Sequence, residues 1–226
     1  MKVIYNPINK NILDAIETMY PTKAEWIASD EIIGELSSTC YGYVVDGKAI
    51  ITNNNQEWHV QEGNYFALNG KSEVLIEKQA NIWTVEKKGY RAMNMVGTVE
   101  TRGRLSYIDG CSDSVLVSMP RQGDPVLNYL HFPTGIYQTQ HTHPSIRMGI
   151  VIRGNGEAFQ EKSNTSDGWV KPLSKGCMFM LEEQELHSFR TTDEIMDIVA
   201  FHPDSDTGPT DENHSMINRT YIEHGK

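Results

Sequence analysis

From about Cys40 onward the sequence consists of short apolar runs separated by glycine turns, and this punctuation limits the possible folds more than any other feature. The runs include YGYVV, KAIIT, EVLIE and IWTVE, and after Gly103 LSYID, SVLVSM, LNYLHF, RMGIVI, EAFQE and CMFML. Asp-Gly, Asn-Gly and Lys-Lys-Gly turns interrupt them, as is typical of antiparallel strands. The sequence therefore predicts an all-β sandwich or barrel.

Only the N-terminal segment has a helical pattern. Ile12, Ile16 and Met19 follow at the three-to-four-residue spacing of an amphipathic helix, and Pro21 would end it. A second helical turn is predicted in TKAEWIA. We therefore expect a short helical segment before the first strands.

A weak internal repeat divides the chain into two halves. The repeated stretches are GYVVDG at 42–47 with GIVIRG at 149–154, and EGNYF at 62–66 with KGCMF at 175–179. Two glycine-punctuated β segments can also look alike by chance, because all β-sandwiches share such turns. The repeat predicts two domains, 1–98 and 99–226, with the boundary in the polar, turn-rich stretch near Gly97 to Gly103.

Charge and composition exclude several function classes. The net charge is −10, from 20 basic and 30 acidic side chains, so nucleic acid and anionic membranes are not expected partners. No apolar run approaches the length of a membrane span or a signal peptide. The three cysteines form no CxxC motif and are odd in number, which favours neither a disulfide framework nor a cysteine metal site. A cytoplasmic protein is the simplest prediction.

Two histidines of the second half stand two positions apart, in QTQHTHPSIRMGIVIRG. Residues two apart in a strand project from one face, so His141 and His143 would deliver two imidazoles to one point. Imidazole suits iron, zinc, copper, nickel and, less often, manganese. The pair alone would equally fit two solvated side chains on an exposed strand.

The spacing around this pair resembles the first motif of the cupin superfamily, G-x5-H-x-H-x3or4-E-x6-G. Gly135, His141, His143, Arg147 and Gly154 reproduce that spacing throughout, with arginine in the place of the glutamate. The motif is fairly specific.

A second stretch resembles the other cupin motif, G-x5-P-x-G-x2-H-x3-N, in spacing only. Gly176 and His187 match, whereas Glu182 replaces the proline, Gln184 the second glycine and Thr191 the asparagine. Together the two motifs cover about a quarter of the chain.

The resemblance implies a jelly-roll β-barrel with one metal ion on His141, His143 and His187. Because a cation cannot be a ligand, Arg147 makes this a three-histidine site without a carboxylate. Aligning the repeats at Gly47 and Gly154, and at Gly63 and Gly176, places Gly34, Leu36 and Val74 opposite the three histidines, and none of these is a ligand residue. Cys40 lies opposite Arg147. The chain then resembles a bicupin whose N-terminal half is degenerate.

Arg147 has two interpretations. Strand parity with the histidines turns it towards the metal chamber, where its guanidinium would clamp a carboxylate. Alternatively, it extends to the barrel rim or pairs with Glu182 or Glu183. Tyr137 is a second candidate for a catalytic role, and Gln138 for a weak fourth oxygen ligand.

Three function classes stay open. We favour an Fe²⁺ oxygenase acting on a small anionic or phenolic ligand, although Zn²⁺, Mn²⁺, Ni²⁺ and Cu²⁺ also suit imidazole. The second is a redox-neutral isomerase or lyase, with Tyr137, Glu182 or His202 exchanging the proton. The third is a non-catalytic ligand-binding module. The oligomeric state stays open, with a homodimer through barrel edge strands as one option, and the polar tail after the last strand could form a lid.

Overall fold

The protein is described by a computed structural model that places residues 1–164 and 166–205. Residues 206–226, which hold the predicted lid, lie outside the described part. In that part the secondary structure comprises one 3₁₀ turn, Ile108–Gly110, and seventeen strands. The strands are β1 (Lys2–Ile4), β2 (Ile12–Ala15), β3 (Thr22–Ile27), β4 (Glu31–Ile33), β5 (Thr39–Asn53), β6 (Gln56–Gln61), β7 (Asn64–Asn69), β8 (Ser72–Lys87), β9 (Met95–Thr98), β10 (Leu105–Ser106), β11 (Ser112–Val117), β12 (Val126–Phe132), β13 (Arg147–Gln160), β14 (Trp169–Ser174), β15 (Met178–Leu181), β16 (Ser188–Arg190) and β17 (Met196–His202). The all-β prediction is confirmed.

The predicted N-terminal helix is wrong. The segment forms β2, in which exposed and buried residues alternate, and Leu13 and Ala15 are the buried ones. Met19, which the helical spacing used, is 78% exposed. TKAEWIA is not helical either, because it contains β3. This strand obtains backbone hydrogen bonds by pairing with β2, whereas an isolated short helix is only marginally stable in water.

The strands form two sheets from two stretches of chain. Residues 12–98 form the first, in the order β2-β3-β8-β5-β7-β9, with β4 on β8 and β6 on β5. The second sheet has the order β1-β15-β13-β17-β12-β11-β10, with β14 and β16 on β13. Because β1 pairs with β15, the first residues of the chain belong to the second sheet, although the predicted division assigned them to the first half.

The two sheets repeat one local arrangement at the glycines that the sequence repeat uses. Gly42 lies opposite Phe66 and Gly149 opposite Phe179, and a Cβ atom would meet the facing ring at 2.2 Å in the first pair and 2.5 Å in the second. The N–H of Gly63 donates to the carbonyl of Val44 at 3.1 Å. The matching N–H of Gly176 donates to the carbonyl of Val151 at 2.8 Å. Glycine is required at Gly42 and Gly149 because an aromatic ring covers the backbone at both positions.

Apolar side chains join the two sheets. One cluster contains Trp26, Tyr41 and Trp83 from the first sheet and Tyr129 and Phe201 from the second. A separate cluster within the second sheet forms the walls around the predicted metal ligands; its members include Phe132, Leu181, Phe179, Phe189, Ile198 and Ala200. In the part of the chain that the structure describes, no helix is long and apolar enough to cross a membrane.

Candidate metal centre

A reciprocal backbone bridge brings two of the predicted ligands together. The N–H of His141 donates to the carbonyl of His187 at 2.9 Å, and that of His187 donates back at 3.0 Å. His141 thus lies in an isolated bridge rather than in a regular strand. His143 is fixed nearby because its carbonyl accepts the N–H of Gln184 at 2.8 Å.

The three imidazoles converge. Their ring centroids lie 4.6 to 5.0 Å apart, and one nitrogen from each ring lies within 4.8 Å of the others. The Nδ1 atom of His141 contacts the carbonyl of Thr139 at 2.9 Å, and that of His187 contacts the carbonyl of Glu185 at 2.8 Å. A carbonyl can only accept, so both Nδ1 atoms carry the proton and both Nε2 atoms keep a lone pair.

This donor set fits a divalent transition metal. The Nε2 atom of His187 is buried and has no hydrogen-bond partner. An unpartnered buried acceptor is costly, and a metal ion bound by this Nε2 atom would remove that cost. The group His141, His143 and His187 could therefore hold a metal, and imidazole ligands suit iron, zinc, copper and nickel.

The histidines open into a small cavity inside the second sheet. Its volume is about 100 Å³, and its walls are mostly apolar. Four further polar residues line the cavity, namely Tyr107, Asp113, Asn128 and His202. The sequence had indicated a role for His202 alone, as a residue that could exchange a proton. A larger depression of about 950 Å³ on the first sheet, beside Asp46 and Asn81, contains none of the ligands.

Arg147 lies inside this cavity. It is 8% exposed and lines the cavity with the three histidines, so it does not extend to the rim. Its Nη1 donates to the carbonyl and hydroxyl of Ser145 at 2.9 and 2.6 Å and to the carbonyl of Ile146 at 3.0 Å. Glu182, one predicted partner, pairs with Lys2 at 3.5 Å. These bonds orient the guanidinium within the chamber.

The structure does not bring Tyr137 to the cavity. Its side chain is 56% exposed, packs against Phe159 and donates to Glu161 at 2.8 Å. Alternation along the extended chain turns Tyr137 outward and the next residue inward. That next residue, Gln138, is 1% exposed and lines the cavity, and its Oε1 atom is buried without a hydrogen-bond partner.

Solved structures with the same architecture are numerous, although no family model and no curated protein matches the sequence. A cupin 2 conserved barrel domain protein from Leptotrichia buccalis has a TM-score of 0.61 at 15% identity, over 88% of this chain and 95% of that chain. A protein named as glyoxylate-induced from Pseudomonas aeruginosa has a TM-score of 0.64 at 15% identity, over 92% and 86%. The chain has a cupin fold. Salicylate 1,2-dioxygenase from Pseudaminobacter salicylatoxidans is also similar, with a TM-score of 0.59 at 11% identity, over 81% and 70%.

Among the described residues, the first half of the chain offers no matching ligand group. At Gly34, which the sequence-repeat alignment places opposite His141, the backbone φ is +75°, and a Cβ atom would lie 2.9 Å from the carbonyl oxygen of Gly70. Leu36 is exposed and Cys40 and Val74 are buried apolar residues. Within the described residues, the one group of three or more metal-ligating side chains that converges is the histidine group of the second half.

Burial and nearby positive charge lower the pKa values of two of the three histidines. Desolvation, followed by the Arg147 charge and the other imidazoles, lowers the pKa of His143 to about 3. Desolvation and the same neighbours lower the pKa of His187 to about 3. The neutral imidazole is the form that binds metal, so His143 and His187 are in the metal-binding form at neutral pH.

We expect the metal-free protein to lose stability as the pH falls below about 6.5. Below this value the unfolded chain protonates His143 and His187, whereas the folded chain leaves them neutral until about pH 3. Their contribution is complete above the unfolded pKa and declines by about 1.4 kcal/mol per pH unit for each residue. Urea unfolding after chelation measures this slope. Burial also lowers the pKa of His202, which therefore adds to the same slope. His187→Gln should remove about a third of it, and an unchanged slope would contradict the shift.

Proposed function

We propose that the protein is a mononuclear metal-dependent cupin enzyme, with the metal on His141, His143 and His187, and that it is an Fe²⁺-type oxygenase acting on a small organic acid. The observation that carries the proposal is the convergence of three imidazoles, one with an unpartnered Nε2, in a chamber that also holds Arg147. The dioxygenase among the similar structures supports it at the level of the fold.

Each part of the chamber has a distinct role in this proposal. Iron(II) on three imidazoles would supply the redox chemistry with oxygen. Arg147 binds and orients the carboxylate of the substrate through its planar fork of donors. The apolar walls, with Phe132, Phe179 and Phe189, exclude water from the reacting groups.

The size of the chamber favours an aliphatic acid over a phenol. A cavity of about 150 Å³ is the size that accommodates benzene, and this one measures about 100 Å³. A substituted aromatic ring would have to displace the wall residues, which include Phe179 and Phe189.

One observation supports the redox-neutral alternative. His202 lines the chamber, and its ring lies 6.3 Å from that of His143. Burial, with Arg147 and His143 nearby, lowers its pKa well below the ordinary value. A neutral imidazole there could accept a substrate proton in an isomerase or lyase reaction.

We further propose that the chain is a bicupin with domains 1–98 and 99–226, in which the first barrel has lost its metal site and β1 crosses over to pair with β15 of the second sheet. The matched glycine and phenylalanine pairs in the two sheets support this division.

We also propose a cytoplasmic location. The three cysteines are free and buried, which is compatible with a reducing cytoplasm. A homodimer and a small anionic ligand held by Arg147 and the metal complete the proposal. The net charge of −10 disfavours nucleic acid and anionic membranes as partners.

Metal analysis followed by oxygen-uptake measurements tests the function. Protein purified without a chelating tag should contain about one metal ion per chain, as expected for a site with one set of three ligands. With iron(II), we expect oxygen consumption with small aliphatic acids and none with phenols of the size of salicylate. Protein without metal would contradict the metal site, and turnover without oxygen would favour the isomerase or lyase alternative.

Arg147→Lys should weaken binding of a carboxylate ligand by about tenfold or more while leaving the metal content unchanged. Lysine keeps the charge but lacks the planar fork that matches a carboxylate. Calorimetric titration of metal-loaded wild-type and variant protein with propionate measures the difference. Loss of metal in the variant, with ligand affinity intact, would assign Arg147 to the metal site instead.

A further inference from the structure

The wall of the chamber formed by β11 and β12 contains a pair of polar side chains that the proposed function does not use. Asp113 and Asn128 both line the cavity. The Nδ2 atom of Asn128 donates to Oδ2 of Asp113 at 2.5 Å. A carboxylate only accepts, so this contact fixes the orientation of the amide and leaves Oδ1 of Asn128 as the free end.

This pair presents acceptors without a matching donor. The Oδ1 atom of Asn128 is buried and has no hydrogen-bond partner. Asp113 is 9% exposed, and among the described residues no lysine, arginine or histidine nitrogen lies within 4.0 Å of its carboxylate. Burial raises the pKa of Asp113, and the bond from Asn128 opposes that rise. A buried carboxyl group of this kind is stabilised by a cation or a strong donor.

One small ligand could reach both this pair and Arg147. Tyr107 lines the same cavity. Burial and the Asp113 charge raise the pKa of Tyr107, and the Arg147 charge opposes this rise. The phenol therefore lies within the electrostatic reach of both groups. The chamber has a cationic region, formed by Arg147 and the proposed metal, and an acceptor-only region formed by Asp113 and Asn128.

We propose that Asp113 and Asn128 bind the amino group of the ligand, so that the chamber takes a small aliphatic amino acid with its carboxylate towards Arg147 and the metal. This inference rests on the proposed metal site. An ammonium group satisfies the chemistry of the pair better than a hydroxyl, because it donates to both oxygens and also neutralises the buried carboxylate. A hydroxyl can donate only once and leaves the charge uncompensated.

Calorimetric titration of the full chain loaded with Zn²⁺, which prevents oxidative turnover, tests the inference. The ligands are β-alanine, 3-hydroxypropionate and propionate, which share a carboxylate and differ in one group. We expect β-alanine to bind about tenfold or more tightly than propionate, because hydrogen bonds to charged groups are among the strong ones. Glycine with acetate and γ-aminobutyrate with butyrate extend the comparison to other chain lengths.

The variant Asp113→Asn should abolish the preference for the amino acid, because it removes the negative charge that pairs with the ammonium group. Its size is conserved, and thermal unfolding checks that it folds. Asp193→Asn, which removes an exposed carboxylate of the same charge, should keep the preference. Survival of the preference in Asp113→Asn would overturn the inference.

The remaining outcomes separate this inference from the proposed function. Equal affinity for β-alanine and propionate in zinc-loaded wild-type protein would overturn the amino-group site and leave the metal site standing. Equal affinity for β-alanine and 3-hydroxypropionate would reassign the pair to a neutral donor. Failure of the wild-type protein to retain zinc would overturn both the proposed function and this inference.

Discussion

His187→Ala is expected to lower metal affinity by at least about 100-fold, more than the loss of an outer-shell partner usually costs. His187 is the most deeply buried of the three ligands, its Nδ1 proton is committed to the carbonyl of Glu185, and its Nε2 has no partner within the protein. The bridge to His141 uses only backbone atoms and survives the substitution. Competition with a chromophoric chelator measures the affinity.

A matched control separates loss of the ligand from general damage. His59→Ala removes an exposed histidine of the first sheet and should leave metal content unchanged. Circular dichroism should report the same strand content in both variants. Retention of one tightly bound metal ion in His187→Ala, or in His141→Ala, would remove the central claim about the site.

Gly154→Ala should destabilise the fold by at least about 3 kcal/mol. Gly154 has a φ of +68°, and a Cβ atom would lie 1.9 Å from the carbonyl oxygen of Ile195. That carbonyl cannot turn away without breaking its bond from the N–H of Asn155, at 3.1 Å. The backbone of β13 would therefore have to separate from β17, which lies beside it in the sheet.

Gly135→Ala is the control. The two glycines share the same backbone conformation and differ in the room available for an added Cβ atom. Gly135 has a φ of +73°, and no atom lies within 4 Å of a Cβ placed on it. This variant should be destabilised only by the cost of placing alanine in the left-handed conformation, about 1–2 kcal/mol. Urea unfolding of both variants gives the difference. Equal losses would show that the close contact at Ile195 relaxes at no cost.

The sequence predicted the parts of the structure whose spacing is itself the signal. Glycine turns and alternating apolar residues predicted the strands, and the cupin-like spacing selected the three histidines that converge. The N-terminal helix was predicted wrongly because the spacing of Ile12, Ile16 and Met19 says nothing about the neighbouring strand. Pairing between β2 and β3 decided which side chains were buried, and that pairing is a tertiary property.

The remaining chamber residues could not be selected from the sequence. Asp113 and Asn128 lie on different strands and belong to no spaced motif, and the register of β11 on β12 places them together. The same applies to Tyr137 and Gln138, which are adjacent in sequence. Which of the two lines the chamber depends on how the segment lies against Phe189, whose carbonyl accepts the N–H of Gln138 at 3.0 Å.

The pairing of β1 with β15 has a consequence for how this protein is made. Val3 lies opposite Phe179, so two segments separated by most of the described chain must meet to complete one sheet. Contacts this distant form late and slow folding, because the loop between them must close first. During synthesis β1 would emerge from the ribosome long before β15, and it would have to remain unpaired, and available to wrong partners, until almost all of the second sheet had been translated.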